Sequence, residues 1–227
     1  MKPAMIRIAR AAAIGLGAAL LIVWGGLWLA DAVGSPIASA ALGRIGGLFG
    51  FQAASTAAVG TAPLGVRIGG PFHLIDQHGA AVTDTDYRGR WMLVYFGYTF
   101  CPDVCPTELE TIAAALGKLG PAAAKVAPLF ITVDPARDTP EVLARYVKLF
   151  DDRIVGLTGT PDEIAAVARE YRVYYAKVTP DHSPYVLDHS SFVYLMDPNG
   201  RLAALFDPST SAERMAAGIE ERQSQRS

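Results

Sequence analysis

The spacing of apolar residues changes partway between positions 91 and 119, which predicts a strand followed by a helix. Residues 91–96 are almost continuously apolar and rich in aromatics, the pattern of a buried strand. Pro106 suits the first position of a helix. Behind it, apolar side chains recur at helical spacing on one face, namely Leu109, Ile112, Leu116 and Leu119. The loop between strand and helix therefore ends at a helix N-terminus.

The chain from residue 71 onward predicts further strands and helices in alternation. Extended segments are predicted at residues 71–83 as a hairpin turning at Gly79, then at 127–133, 154–157, 172–178, 192–196 and 202–206. Helices are predicted at residues 140–150 with Asp138 or Thr139 as cap, from the capping box Thr160 to Glu163 as far as Tyr171, and from Ser211 to Arg222 with Thr210 or Ser211 as cap. This order predicts an α/β fold with a mixed central sheet.

The N-terminal region has a pattern of its own. Residues 11–30 contain no charged side chain, follow a basic segment and precede Asp31. That length suits a single transmembrane helix whose basic flank stays in the cytoplasm. A cleavable signal with an A-x-A site at residues 38–40 is the alternative, and the length of the apolar segment favours a retained anchor.

These patterns predict the organisation of the whole chain and its location. The parts are a cytoplasmic N-terminus at 1–10, a transmembrane anchor at 11–30, a flexible Gly- and Ala-rich tether at 31–69, a globular domain at 70–222 and a polar tail at 223–227. The simplest location is the bacterial inner membrane, which the chain would cross once, with the C-terminal domain in the periplasm. The formal net charge of -2 provides no basic surface, so nucleic acid is not an expected partner.

Cys101 and Cys105 are the only cysteines of the chain and lie four positions apart, where the strand gives way to the helix. Thiols placed after the first core strand make the predicted fold thioredoxin-like, and a helix N-terminus favours their thiolate form. An exported protein would normally oxidise such a pair to a structural disulfide. A bridge across three residues constrains little of the unfolded chain, so a redox-active pair or a metal site is favoured.

Two thiolates select soft metals such as Cu(I) or Zn(II), and leave Cu(I) one ligand short of trigonal coordination. His189, directly before a predicted strand, is favoured by position over His182, which lies in a loop between two prolines. Asp134 follows a strand at the edge where α/β sheets place ligands, but a turn-forming role is equally open. The two remaining histidines, His73 and His78, are interpreted as surface residues.

Three separated segments resemble the Sco/SenC family of copper chaperones. They are residues 96–106 (FGYTFCPDVCP), 134–140 (DPARDTP) and 188–195 (DHSSFVYL). The resemblance covers about residues 70–206 and the N-terminal anchor. It implies a membrane-anchored, thioredoxin-like protein that assists assembly of the dinuclear copper site of cytochrome c oxidase. Many relatives have His where this chain has Phe100, which lies outside the implied ligand set.

The resemblance implies one copper ion per chain, bound by Cys101, Cys105 and His189, with the two cysteines also able to form a reversible disulfide. The expected function is delivery of copper to the copper-site subunit of cytochrome c oxidase, with an exported thiol reductase keeping the pair reduced. One alternative is a thiol-disulfide oxidoreductase that reduces the cysteines of the oxidase copper site. A copper or redox sensor is the other.

Overall fold

The computed structural model describes residues 59–60, 67–179 and 185–225 of the 227-residue chain. The strands are β1 Val59–Gly60, β2 His73–Asp76, β3 Ala81–Thr83, β4 Trp91–Gly97, β5 Val126–Thr132, β6 Val155–Thr158, β7 Tyr175–Val178, β8 Val186–His189, β9 Val193–Met196 and β10 Leu202–Phe206. The α-helices are α1 Val104–Lys118, α2 Pro140–Val147, α3 Pro161–Glu170 and α4 Ala212–Ser224. Two short 3-10 helices, Asp84–Tyr87 and Gly120–Lys125, were not predicted.

Eight strands form one mixed sheet in the order β1-β10-β9-β4-β5-β6-β2-β3. The pairs β4–β5 and β5–β6 are parallel, and every other neighbouring pair is antiparallel. All seven residues of β4 and all seven of β5 are buried, as their continuous apolar sequences predict. The α/β class with a mixed central sheet is therefore confirmed.

The parallel register of β4 and β5 sets the position of the loops that follow them. Gly97 lies opposite Thr132, and Val133 N–H donates a 2.8 Å hydrogen bond to the Gly97 carbonyl. The two strands thus end at the same edge of the sheet. The loop that carries the cysteines and the loop that begins at Asp134 leave this edge side by side.

The strands β7 and β8 form a separate two-stranded antiparallel sheet, in which Tyr175 pairs with His189. The extended segment at 172–178 was predicted, but its pairing with residues 186–189 was not. His189 is the last residue of the hairpin strand β8 and, as expected, shortly precedes a strand of the main sheet, β9. The pattern missed this hairpin because its strands are only four residues long and mix buried with exposed positions.

Several element boundaries differ from those expected. The helix α1 begins at Val104 and not at Pro106, because proline is tolerated throughout the first turn, where N–H groups have no intrahelical partner. Thr139, whose hydroxyl accepts from Val142 N–H, caps α2, and Ser211 caps α4. That last helix continues through Ser224 into the range predicted as a polar tail.

The N-terminal predictions fall largely outside the described residues, which include neither the anchor at 11–30 nor the A-x-A site. Among the residues that the structure describes, no helix has both the length and the apolar character that crossing a membrane requires. The strand β1 and the partly buried Ile68 lie within the range predicted as a tether, and β1 pairs with β10.

Candidate metal centre

The two cysteines lie at the connection between β4 and α1. Cys101 is in the connecting loop and is 9% exposed, whereas Cys105 is the second residue of α1 and is fully buried. Gly97, the last residue of β4, makes room for them, since a Cβ atom there would lie 3.0 Å from Cys105 Sγ and 2.8 Å from the Phe130 ring. A side chain at position 97 would therefore displace the second thiol.

Both cysteines are free thiols, and they share one hydrogen-bonded environment. Cys105 N–H donates to Cys101 Sγ at 3.4 Å. The hydrogen bond from the Cys105 side chain lowers the pKa of Cys101, with smaller contributions from His189 and the backbone. The same interaction and burial raise the pKa of Cys105. Of the two thiols, Cys101 is therefore the one that ionises more readily.

His189 reaches the thiols from the end of β8. Its Nε2 lies 3.3 Å from Cys105 Sγ, and its Nδ1 lies 3.0 Å from the Ser190 carbonyl oxygen. A carbonyl oxygen can only accept, so Nδ1 donates to it, and in the neutral ring Nε2 then carries the lone pair that a metal ion would bind. The rings of Tyr95 and Tyr98 meet the imidazole edge-on, with centroids 6.4 and 5.9 Å away.

The structure brings all three predicted site residues together. One donor atom each from Cys101, Cys105 and His189 lies within 4.8 Å of the others. Around a trigonal ion with bonds of roughly 2.3 Å, the donors would lie about 4 Å apart. Sub-ångström adjustments would thus fit them to one ion. Two sulfurs and an imidazole nitrogen suit Cu(I) better than calcium or magnesium.

The other histidines lie elsewhere or are not described. His73 and His78 are exposed on the β2–β3 hairpin and belong to no ligand cluster among the described residues. His182 lies outside those residues.

Asp134, left open as ligand or turn residue, is not a member of the cluster. Its carboxylate pairs with Arg137 and accepts a 2.9 Å hydrogen bond from the Tyr185 hydroxyl. It thus binds protein side chains and not the thiol centre.

Asp138, considered as a cap for α2, binds the cysteine loop instead. Its fully buried carboxylate accepts from Thr99 N–H at 3.0 Å, from the Thr99 hydroxyl at 2.6 Å and from the Thr132 hydroxyl at 2.6 Å. Burial raises the pKa of this carboxyl above its usual value, although the three hydrogen bonds act to lower it. The Asp-Pro-x-x-Asp motif marked a turn in the sequence, but nothing there indicated that Thr99, 39 positions earlier, was the partner.

Two buried polar groups behind the cysteines were also missed. Glu108 is 3% exposed, and its Oε1 has no hydrogen-bond partner among the described residues. Burial, aided by the charge of Asp207, raises the pKa of Glu108 to about 7. The Tyr95 hydroxyl is likewise buried without a partner in the described part of the chain. The helical spacing from Cys105 to Glu108 and Leu109 could have flagged Glu108 as inward-facing.

A mixed sheet with two thiols after its central strand and an imidazole facing them defines a thioredoxin-like protein with a centre fitted to a soft metal. The comparisons with known proteins identify the family. The SCO1/SenC family model matches residues 61–224. The chain therefore belongs to the SCO1/SenC family.

Individual relatives agree with this assignment. Protein sco1 of Schizosaccharomyces pombe is 43% identical over 157 residues, which are 67% of this chain and 60% of that protein. Protein SenC of Rhodobacter capsulatus is 43% identical over 160 residues, 70% of this chain and 72% of that protein. The chain spans less than two thirds of the sco1 relative's length.

Solved structures show the same fold. Arabidopsis thaliana ScoI, crystallised with copper bound, matches with a TM-score of 0.67 and 43% identity over 70% of this chain and 99% of that one. BsSco, described as a member of the Sco family of cytochrome c oxidase assembly proteins, is 23% identical and supports the fold alone. Copper thus occurs in a homologous structure, and Cys101, Cys105 and His189 form a possible copper site in this chain.

Proposed function

We propose that this chain is a metallochaperone that binds one copper ion through Cys101, Cys105 and His189 and delivers it to the dinuclear copper site of cytochrome c oxidase. The observation that carries the proposal is the approach of the three donor atoms to within 4.8 Å of one another. Membership of a family with copper-bound structures supports the choice of metal.

The protonation pattern suits loading with Cu(I). The Cys101 thiolate is ready to bind, because its pKa is lowered, whereas Cys105 must lose its proton when the metal arrives. The neutral imidazole would bind the ion through the Nε2 lone pair.

Release follows by ligand exchange with thiolates of the recipient subunit. Cys101 lies on a loop at the surface end of the site, and His189 is half-buried on the hairpin. Both are more accessible than the fully buried Cys105. Incoming thiolates would displace Cys101 and His189 from the ion first, and Cys105 would dissociate last.

The proposed setting is a bacterial inner membrane, with residues 11–30 as anchor and the folded domain in the periplasm. The uncharged length of that segment and the similarity to a Rhodobacter relative support it. Because the periplasm is oxidising, the pair would depend on an exported thiol reductase to return it to the dithiol form.

The lowered pKa of Cys101 also favours a second candidate, a thiol-disulfide oxidoreductase acting on the oxidase copper-site cysteines. The Cys101 thiolate would attack a disulfide sulfur of the oxidase, and Cys105 would resolve the mixed disulfide. The two released oxidase thiols balance the new Cys101–Cys105 bond. This reaction has no need of the imidazole at 3.3 Å.

Copper titration of the full chain, purified with reduced thiols, tests the proposal. We expect one Cu(I) per wild-type chain and an affinity loss of at least about tenfold in His189→Ala, because a ligand should matter no less than the groups that support it. His182→Ala is the matched control and should bind as wild type.

If His182→Ala loses copper and His189→Ala does not, the ligand assignment is wrong. If neither substitution matters and the chain catalytically reduces protein disulfides, the oxidoreductase explains the site better than the chaperone does.

A further inference from the structure

The three proposed ligands lie on two pieces of chain that share no backbone ladder. The cysteines follow β4 of the main sheet, whereas His189 belongs to the β7–β8 sheet. The backbone connects them through the short segment from His189 to Val193 of β9, which pairs with Tyr95 of β4. Side-chain contacts add to this link in keeping His189 Nε2 at 3.3 Å from Cys105 Sγ. One such contact is made by the Tyr98 hydroxyl, which accepts from Leu187 N–H at 3.1 Å.

The cysteine loop and the β7–β8 hairpin meet at a junction, and Asp138 fixes the cysteine side of it. Its carboxylate holds both the N–H and the hydroxyl of Thr99, two residues before Cys101, and also the hydroxyl of Thr132 on β5. Breaking the hydrogen bonds of a buried carboxylate that accepts from three donors would lower the stability of the folded protein. The cysteine loop is thus anchored to the end of β5.

The neighbouring residue, Arg137, reaches the histidine side. Its Nε donates to Asp134, and its Nη1 donates to the Tyr185 carbonyl at 3.0 Å. Tyr185 directly precedes β8, and its hydroxyl returns to the same Asp134 carboxylate. Both the backbone and the ring of Tyr185 are therefore held, four residues before His189.

The Arg137 guanidinium also contacts aromatic rings from both sides of the junction. Its Cζ lies 3.8 Å from the Tyr185 ring centroid and 4.7 Å from that of Phe100, the residue directly before Cys101. A planar guanidinium can stack on rings and donate in its own plane at the same time, which an ammonium cannot do. One side chain thus touches the residue before Cys101 and the residue before the His189 strand.

We propose that Arg137, held by Asp134, is a positioning residue that sets the distance between His189 and the two cysteines. It is not a metal ligand and touches none of the three donor atoms. The proposal rests on the proposed copper function, because positioning matters only if all three residues bind one ion. Arg137 and Asp138 are consecutive, so the same turn fixes both halves of the site.

Arg137→Met in the full chain tests this role through copper affinity. It keeps a long side chain but removes the donors and the charge, and we expect Cu(I) affinity to fall about tenfold, in the range for groups that orient ligands. In a His189→Ala background the same substitution should change affinity less than about twofold, because the strand it positions no longer carries a ligand. Arg137→Lys should lose Cu(I) affinity to the same extent as Arg137→Met. An ammonium cannot stack on the rings and also donate in-plane hydrogen bonds as a guanidinium does.

Arg88→Met is the matched control. Arg88 forms a similar partly buried ion pair with Asp84, and its neighbour Gly89 bonds to the β9–β10 turn. We expect this variant to bind copper as wild type. Equal losses in Arg88→Met and Arg137→Met would overturn the proposal, as would an Arg137 effect that is undiminished in the His189→Ala background.

A metal-free measurement separates this proposal from the copper function. In the apo protein, Arg137→Met should speed hydrogen exchange at the Leu187 amide about fivefold or more, through local opening of the hairpin, while Arg88→Met should not. If the wild type binds no copper while Leu187 exchange still speeds up in Arg137→Met, the metallochaperone proposal fails, but the role of Arg137 in holding the hairpin is supported. If Leu187 exchange is unchanged in Arg137→Met and Arg137→Lys, the positioning role is rejected.

Discussion

The strand β4 and the β7–β8 hairpin each deliver ligands to one candidate site, but they are built differently. All seven residues of β4 are buried, and both of its edges are paired, with β5 and with β9. The hairpin strands are four residues long, pair with each other and carry exposed residues at Lys177, Val178 and Asp188. A cavity of about 240 Å³, lined by Val133, Tyr175 and Leu187 among others, lies beside the hairpin.

In the proposed metallochaperone, this difference separates a firmly held ligand from a more movable one. The core supplies a buried thiol whose position cannot shift without repacking the sheet. The hairpin supplies an imidazole whose position depends on side-chain contacts and on the short link from His189 to β9. We expect the hairpin to open while the main sheet stays folded, which would withdraw His189 from the thiols.

Hydrogen exchange gives the largest expected contrast between the two regions. Amides of the β7–β8 ladder should exchange at least about a thousandfold faster than the Val94 amide in β4, because the hairpin can open locally while β4 requires global unfolding. Amide exchange of the apo protein followed by NMR measures both. Equal protection of the two regions would show that they open as one unit, and would break the comparison.

The same division separates what could be predicted from what could not. The continuous apolar run at 91–96 predicted β4, and the cysteine spacing predicted a thiol site at its end, because strands buried on both faces leave a local signal. The first strand of the hairpin was predicted, but its pairing and anchoring left no local signal, since Tyr98 and Arg137, which hold the hairpin, are 89 and 48 positions from their partners. Position alone did not decide between His182 and His189; the family resemblance did.

The role of Asp138 shows the same limit at a single residue. Both Asp138 and Thr139 are good helix caps in a sequence. Only the parallel register of β4 and β5, which brings Thr99 beside Thr132, gives Asp138 its other partners. A local pattern cannot report a contact that the sheet creates.

Glu108 provides a test confined to the cysteine-bearing region. Its folded-state pKa of about 7 lies above the ordinary 4.5, so the folded protein binds the extra proton between these values, and stability falls as pH rises from about 4.5 through 7. Glu108→Gln removes that titration. It should raise the free energy of unfolding at pH 8 by on the order of 2 kcal/mol, after allowance for incomplete desolvation, and change it little at pH 4.

Denaturant unfolding at both pH values measures this effect. The matched control is Glu110→Gln on the exposed face of the same helix, which should change stability by less than about 0.5 kcal/mol. Local opening of the hairpin should be the same in both variants. A Glu108→Gln protein that also slows hairpin exchange would show that the two regions are coupled through α1.

Tyr98→Phe produces the smallest expected effect and tests the joint between the two regions. The substitution keeps the ring against His189 but removes the oxygen that accepts from Leu187 N–H, leaving a buried donor unpaired at a cost of about 1 kcal/mol. The Leu187 amide should therefore exchange roughly fivefold faster, with Val94 almost unchanged. The control is Tyr146→Phe, which removes a buried hydroxyl that has no partner among the described residues and should leave both amides as they are. If Tyr98→Phe accelerates Val94 as much as Leu187, the hairpin is part of the global folding unit, and its histidine is held as firmly as the cysteines are.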